Sequence, residues 1–147
     1  MKKFEFPLER VLRVRKIREK ESQRRTAVAL RQLQNEQEKF NRISSDEQKT
    51  LEVINNLTSA AKKPAELNML HGFLTAKRRK RKSQSERVRQ ADKRLADSRS
   101  HLIVRMREKK CMEKLKENQY EAYRKDADKD EQKMLDEVAI LRRYKRY

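Results

Sequence analysis

The sequence predicts an all-α protein: a long antiparallel two-helix coiled-coil hairpin with an overhanging C-terminal helix. Charged residues make up 44% of the 147 residues and hydrophobic residues only 35%, too few for a core of several packed layers. Gly72 is the single glycine, and Pro64 is the only proline after residue 7, so the residues that punctuate sheets and tight turns are missing. Apolar residues instead recur three or four positions apart in two long stretches, which is typical of coiled-coil helices.

The two stretches meet at residues 58–67, TSAAKKPAEL, where Pro64 marks a break. If the chain reverses there, residues whose numbers sum to about 124 face each other, as in an antiparallel coiled coil. Many apolar residues satisfy this register, so we predict one elongated helical hairpin over residues 1–147. The predicted pairs are Leu57 with Leu67, Ile54 with Leu70, Leu51 with Phe73, Leu33 with Ala91, Leu30 with Leu95, Ile17 with Met106, Leu12 with Met112, and Leu8 with Leu115.

We expect the first helix to run from about residue 7 to residue 57, because Pro7 suits the first position of a helix. The phenylalanines that precede it are expected to pack against Val11 or Leu12 as a hydrophobic staple. Its seam residues form two sets whose phases differ, which predicts a discontinuity near Phe40. The first set is Leu30, Leu33, Gln37 and Phe40, and the second is Ile43, Glu47, Thr50, Ile54 and Leu57.

We expect the turn at about residues 58–64 and the second helix from about residue 64 to residue 143. Its seam consists of Val88, Ala91, Leu95, Ser98 and Leu102, followed after a phase shift by Met112, Leu115, Gln119 and Ala122. In the predicted register the first helix is used up near residue 117, so residues 119–147 overhang. A lone amphipathic helix is marginal in water, and the overhang is therefore best explained by a binding partner, the alternative being that it is frayed. Its apolar and aromatic residues include Tyr120, Tyr123, Met134, Val138 and Leu141.

The net charge of +18, from 41 basic and 23 acidic residues, predicts attraction to acidic partners. Residues 77–82, KRRKRK, form an uninterrupted basic band. In the predicted register Phe40, Ile43 and Glu47 lie opposite this band. Two apolar residues beside a basic band indicate a binding patch, unless the aliphatic stems of lysine and arginine cover them.

No pattern in the sequence indicates catalysis or metal binding, so we predict no catalytic, cofactor-binding or metal-binding residue and no enzyme activity. His71 and His101 are far apart and have no Cys or His neighbour that would complete a metal site, and a two-helix hairpin offers no enclosed pocket. The single cysteine, Cys111, excludes an internal disulfide and is expected to lie on the seam as a small core residue. The chain has neither an apolar run of membrane-spanning length nor an apolar signal-peptide segment, so we expect a cytoplasmic protein.

Two other functions fit the charge. The first is a basic helical nucleic-acid-binding protein, which the pI near 10.3 favours. However, aromatic residues make up only 5%, and the basic band lies inside a hairpin arm, unlike the basic region beside a parallel leucine zipper. The second is a membrane-surface helix drawn to anionic lipid, although a broad apolar face edged with Trp and Phe is missing. A monomer and a domain-swapped dimer would use the same seam, and the sequence is compatible with both.

Both ends of the chain resemble the flagellar export protein FliJ family and its YscO-like relatives in virulence type III secretion. The resembling segments are FEFPLERVLRVRKIREKE near the N-terminus and EKLKENQYEAYRKDADKDEQKMLDEVAILR near the C-terminus. The matching residues are Phe4, Phe6, Leu8, Val11, Leu12 and Arg15 at one end, and Glu113, Lys114, Leu115, Tyr120, Tyr123, Arg124, Glu131, Gln132, Asp136 and Glu137 at the other.

This resemblance implies a non-catalytic central stalk, similar to the γ stalk of rotary ATP synthases. Such a stalk sits in the pore of a hexameric, FliI-like export ATPase and promotes ring assembly. It also contacts the cytoplasmic domain of an FlhA-like export gate protein and handles export chaperones. It is cytoplasmic and peripherally associated with the inner membrane at the export apparatus. No cofactor, nucleic acid or small-molecule substrate is implied, and the equivalent stalk of a virulence secretion system is the alternative.

The resemblance also implies two sets of binding residues. In the family's layout the terminal end enters the ATPase, and the gate contacts lie on both helices partway toward the turn. The ATPase-binding candidates are Leu8, Val11, Leu12, Arg15, Tyr120, Tyr123, Arg124, Met134, Val138 and Leu141. The candidates for gate binding are Phe40, Ile43, Phe73, Leu74 and Lys77, of which Phe73 is the residue-level match to the family.

Overall fold

The computed structural model describes residues 3–59 and 63–144, and nearly all of them are helical. Helix α1 spans Glu9–Ser59 and helix α2 spans Pro64–Tyr144, and no β-strand occurs in these described ranges. The two helices pack against each other in antiparallel fashion, which confirms the predicted all-α coiled-coil hairpin. Residues 60–62 of the predicted turn lie outside the described residues.

The contacts divide the chain into two compact units. The terminal unit consists of Met1–Lys20 and Ile103–Tyr147, and the turn unit of Glu21–Leu102. Each unit therefore contains one part of α1 and one part of α2. In neither unit does the described chain include a helix that is both long enough and apolar enough to span a membrane.

The first helix begins just after Pro7. Pro7 and Leu8 form a turn, and the backbone N–H of Glu9 donates to the carbonyl of Phe6 at 3.1 Å. Pro7 therefore precedes α1 instead of occupying its first helical position. Helix α2 begins at Pro64, which lacks the N–H that would be unpaired there, and Glu66 in its first turn complements the positive end of the helix dipole.

In the turn unit, the side chains turned toward the partner helix recur at alternating steps of three and four, apart from one step of seven on α2 from Lys77 to Gln84. On α1 these buried and half-buried residues are Ser22, Thr26, Ala29, Leu33, Glu36, Phe40, Ile43, Glu47, Thr50, Ile54 and Leu57. On α2 they are Leu67, Leu70, Leu74, Lys77, Gln84, Val88, Ala91, Leu95, Ser98 and Leu102. The hydroxyl of Thr26 donates to the Ser98 carbonyl at 3.3 Å, a pair that obeys the predicted register.

The seam predicted on α1 from Leu30 to Phe40 was wrong at two positions, each by one residue. Ala29 and Glu36 face α2, whereas Leu30 is 38% exposed and Gln37 is also exposed. The seam therefore runs in one phase from Ser22 to Leu57, without the predicted discontinuity near Phe40. The prediction followed apolar bulk, but a small alanine and a hydrogen-bonded glutamate occupy the inward positions.

In the terminal unit, Phe6, Leu12 and Glu19 are buried. The half-buried residues that face them on α2 include Arg105, Lys109, Met112, Lys116, Gln119 and Tyr123. This corrects three sequence-based placements, because Leu115, Ala122 and Cys111 are exposed. The seam of α2 keeps one phase through Met112, so that Lys116 and Tyr123 take the inward positions instead.

The end of α2 extends beyond its partner. Every residue from Asp128 to Arg143 is exposed, as expected for a helix with nothing of this chain packed on it. Several of these exposed residues are large and apolar, with exposures between 46% and 68%: Met134, Leu135, Val138, Ile140 and Leu141. The structure thus contains the predicted overhang, with an apolar surface open to solvent.

Replacing Leu95 by alanine is expected to lower the free energy of unfolding by about 2–4 kcal/mol, because this side chain is 3% exposed and its loss leaves a cavity between the helices. The control is Leu30→Ala in the facing helix, which should cost less than about 1 kcal/mol because Leu30 already contacts water. Urea unfolding followed by far-UV circular dichroism measures both values. Equal losses would contradict the seam described above.

Candidate partner-binding surfaces

The segment before α1 docks on α2 through an aromatic cluster. The ring of Phe4 lies 5.3 Å from that of Tyr120, edge to face, and 5.6 Å from that of Tyr123. The two tyrosine rings stack at 6.5 Å. Aromatic pairs of this kind stabilise by roughly 0.5–1.5 kcal/mol each beyond their buried area. The cluster therefore holds the start of the chain against α2 at the place where the overhang begins.

Lys116 ties the buried Phe6 to the start of α1. Its ammonium lies 5.8 Å from the centroid of the Phe6 ring and donates to the Glu9 carboxylate at 2.6 Å. This hydrogen bond is the main reason that the pKa of Glu9 falls below its ordinary value. The apolar spacing of the sequence predicted Leu115 on the seam and gave no indication of this role for Lys116.

Further ion pairs cross between the helices of the terminal unit. The Lys109 ammonium lies 2.7 Å from the carboxylate of the buried Glu19, and this hydrogen bond raises the pKa of Lys109. Arg15 pairs with Glu108, which also accepts a hydrogen bond from Arg105 at 3.0 Å. Charged residues thus take the place of apolar ones in much of this seam, which makes it polar and selective in register.

The ATPase-binding candidates fall into two groups. Leu12 is 2% exposed, Arg15 holds Glu108, and Tyr123 packs on Phe4, so these three side chains stabilise the hairpin itself. The exposed group consists of Leu8, Val11, Tyr120, Arg124, Met134, Val138 and Leu141. Only the exposed group is open to a partner without rearrangement of the helices.

The exposed apolar residues of the overhang continue the seam of α2. Tyr123, Ala127, Met134, Val138 and Leu141 follow one another at steps of four, seven, four and three, which keeps them on one helix face. We call Met134, Val138 and Leu141 the overhang stripe. Its flanking residues Leu135 and Ile140 were missed from the sequence, although both are more than half exposed. The stripe is the continuation of a coiled-coil face against which no described residue of α1 packs.

The gate-binding candidates lie in the turn unit. Phe40 and Ile43 are half-buried and Leu74 is 4% exposed, whereas the Phe73 ring is 54% exposed. Lys77 lies beside that ring, with its ammonium 4.7 Å from the centroid. Phe73 is therefore the candidate with the most surface available to a partner.

Lys77 also connects the two helices. Its ammonium donates to the Asp46 carbonyl at 3.2 Å and to the Thr50 hydroxyl at 3.1 Å. These two hydrogen bonds hold the Lys77 ammonium against α1, so it is not a freely mobile surface charge.

Two more residues of the basic band hold a buried carboxylate. The Glu47 side chain is only 8% exposed, and the Nε atoms of Arg78 and Arg81 lie 3.4 Å and 3.1 Å from its oxygens. Oε2 of Glu47 is buried and accepts no hydrogen bond from a described residue, so Arg81 stabilises it by charge. A buried carboxylate without such partners would be strongly destabilising, and the band is therefore partly structural.

Gln84 and Glu36 form a second buried polar contact. The Gln84 side-chain amide is 5% exposed and donates to the Glu36 backbone carbonyl at 3.0 Å and to the Glu36 carboxylate. Hydrogen bonds from Lys39 and then from Gln84 lower the pKa of Glu36. A polar pair of this kind at a seam position selects one register. The described residues contain no group of three or more His, Cys, Asp or Glu side chains arranged to hold a metal.

The sequence and the fold of the chain resemble those of known proteins. The sequence model of the family described as flagellar FliJ protein matches residues 4–146. The solved structure of a YscO homolog from Chlamydia trachomatis is similar, with a TM-score of 0.58 and 20% sequence identity, and the match covers 95% of this chain and 94% of that chain. At this identity the likeness demonstrates a shared fold alone. No curated protein matches the chain.

The ion pairs of the terminal unit predict a loss of stability in acid. Arg105 and Arg15 lower the pKa of Glu108 below its ordinary 4.5, so its contribution is present above that value and is lost as pH falls through the folded pKa. We expect Glu108→Gln to lower the melting temperature at neutral pH and to converge with the wild type well below pH 4.5. Thermal unfolding by circular dichroism at both pH values measures this difference.

The control is Glu38→Gln, because the ion pair of Glu38 with Arg42 spans 4.0 Å and both side chains are exposed. Exposed pairs of this kind contribute little, so this variant should match the wild type at neutral pH. A Glu108→Gln deficit that stays constant into acid would contradict the ion-pair explanation.

Proposed function

The chain belongs to the flagellar FliJ protein family, and we propose that it is the non-catalytic central stalk of a flagellar type III export apparatus. Its partners are a hexameric export ATPase, the cytoplasmic domain of an export gate protein, and export chaperones. It acts in the cytoplasm, peripherally associated with the inner membrane. The observation that carries the proposal is the overhang of α2, which presents an apolar stripe that no residue in the described part of the chain covers.

The terminal unit is the proposed ATPase-binding end. Met134, Val138 and Leu141 are 68%, 46% and 63% exposed, and burying such side chains against a partner is the main source of affinity in an interface. Leu8, Val11 and Tyr120 add exposed apolar surface in the same unit. A ring-shaped partner can surround a single protruding helix and cover this surface from several sides.

The proposed mechanism depends on the asymmetric surface of the overhang. The overhang is one helix with an apolar stripe on one face and charged residues such as Lys129, Asp136 and Arg143 on the opposite face. Six equivalent ATPase subunits around such a helix meet different surfaces, so the stalk binds their conformations unequally. A ligand that binds one conformation more tightly shifts its population by that difference in affinity, which promotes ring assembly and biases hydrolysis.

The turn unit is the proposed gate-binding end. Phe73 supports this assignment because its ring is more than half exposed while Leu74, next to it, is buried between the helices. An aromatic side chain on a rigid helix is a frequent anchor of protein interfaces. With the ATPase bound by the terminal unit and the gate by the turn unit, the stalk links the two machines.

The stalk of a virulence type III secretion system is the second candidate. The fold shared with a YscO homolog favours it, whereas the family match favours the flagellar system. The two candidates differ in the ATPase that responds. Stimulation of a flagellar export ATPase but not of a virulence ATPase supports the flagellar assignment, and the reverse selects the second candidate.

Replacing Met134, Val138 and Leu141 together by serine is expected to raise the concentration that half-stimulates a flagellar export ATPase at least about tenfold, because each buried apolar side chain contributes roughly 1 kcal/mol or more. ATP hydrolysis and ring assembly are measured on titration with the stalk. The matched control replaces Val14, Val28 and Val53 by serine, three α1 residues that are 46%, 55% and 47% exposed. Stimulation that responds equally to both triple variants would exclude the overhang as the ATPase-binding surface.

Replacing Phe73 by alanine is expected to weaken binding of the isolated cytoplasmic gate domain by about tenfold, the effect of removing one aromatic anchor. Val53→Ala is the control, since Val53 is 47% exposed in the same unit. Isothermal titration calorimetry measures both affinities. Unchanged binding by the Phe73→Ala variant would show that this residue is not part of the gate-binding surface. The assignment of the ATPase-binding end would not be affected.

A further inference from the structure

The six basic residues of the band at 77–82 divide into two sets in the structure. Lys77, Arg78 and Arg81 contact α1, as described above. Arg79, Lys80 and Lys82 are exposed and make no hydrogen bond or ion pair with any residue that the structure describes. Hairpin stability therefore explains half of the band and leaves these outward charges without a role.

Two of these exposed residues, Arg79 and Lys82, belong to a longer row of cations on the back of α2. Arg79, Lys82, Arg89 and Lys93 follow at steps of three, seven and four, which keeps them on one face, opposite the inward seam positions. All four are exposed, and none has a partner among the described residues. We call them the basic stripe. It spans 14 helical positions, or about 21 Å at 1.5 Å per residue, and Glu86 is the acidic residue on the same face.

We propose that the basic stripe binds the surface of an anionic phospholipid bilayer. A straight row of long, mobile cationic side chains on one helix face is complementary to a flat, diffuse negative surface. It needs no shaped pocket. Each lysine or arginine close to an anionic membrane contributes roughly a factor of five to the partition coefficient. Four such residues on one face are enough for reversible surface binding.

The neighbouring residues favour lipid over nucleic acid. Met69 is 78% exposed, the highest exposure among the large apolar side chains described. It lies ten residues before Arg79, about 15 Å along the helix axis, and its side chain is rotated by about 80° from that of Arg79 around the helix. An exposed apolar side chain on the same helix can enter the boundary between headgroups and acyl chains when the basic stripe lies on the bilayer, but it gains nothing from a phosphate backbone. No Phe, Tyr or Trp occurs between Phe73 and Tyr120, so the stripe lacks the stacking platforms that bind unpaired bases.

The proposal adds a partner to the stalk function and does not depend on it. The basic stripe shares no residue with the ATPase-binding or gate-binding candidates. Lipid binding is therefore measurable on the full chain alone, and its failure would leave the export partners unaffected.

The experiment is flotation of the full chain with phosphatidylcholine vesicles, with and without phosphatidylglycerol, at low and at high salt. We expect binding only to vesicles that contain phosphatidylglycerol, and a steep loss at high salt because salt screens exposed charges. Changing Arg79, Lys82 and Arg89 to glutamine should lower the partition coefficient by about a hundredfold. The matched control changes the exposed Lys125, Lys129 and Lys133 to glutamine, which also lowers the formal net charge from +18 to +15, and should have less than about a threefold effect.

A second variant tests the apolar part of the proposal and separates lipid from nucleic acid. Met69→Gln should lower partition into phosphatidylglycerol vesicles by about threefold, through loss of partial burial in the interface, and leave binding to duplex DNA unchanged. Circular dichroism confirms that all variants are helical. Equal losses in the two triple variants would overturn the proposal. So would binding to duplex DNA through the basic stripe without any binding to phosphatidylglycerol vesicles.

Discussion

The antiparallel register of α1 on α2 is the constraint on which the other features of this structure depend. Apolar residues on the seam are too sparse and too similar in spacing to select one register, because a shift by seven residues restores the same pattern. The polar contacts distinguish the observed register from the shifted ones. Glu47 meets Arg78 and Arg81 in one register alone, and sliding the helices would leave its carboxylate buried without a cation. The Gln84–Glu36 contact adds the same selectivity.

The register also determines how much of α2 is left uncovered. The start of the chain reaches α2 at Tyr120 and Tyr123, where Phe4 packs, and beyond Ala127 the helix is exposed. The overhang and its apolar stripe are therefore direct consequences of the register in the terminal unit. A protein with this arrangement has a stable hairpin that positions a protruding helix, and the protruding helix is the part that a second protein completes.

Positive charge serves two purposes in the turn unit. Lys77, Arg78 and Arg81 point toward α1, where they satisfy a hydroxyl, a carbonyl and a buried carboxylate. Their neighbours Arg79 and Lys82 point away and remain hydrated. Because consecutive residues on a helix are separated by about 100°, an uninterrupted basic run must place some side chains toward α1 and others toward solvent. The net charge of +18 is thus partly structural and partly a property of the outer surface.

The sequence by itself determined the two long helices, the reversal near Pro64, the pairing sum and the overhang, because these follow from spacing along the chain and from the lack of glycine and proline. Only the tertiary structure decided which of two adjacent residues faces inward: Ala29 and not Leu30, Lys116 and not Leu115. One residue rotates a helix face by about 100°, and the inward choice depends on the whole partner surface, including its polar groups. A search for apolar periodicity misses a seam in which Glu36 or Lys116 is inside because a residue of the other helix, Gln84 or Glu9, pairs with it.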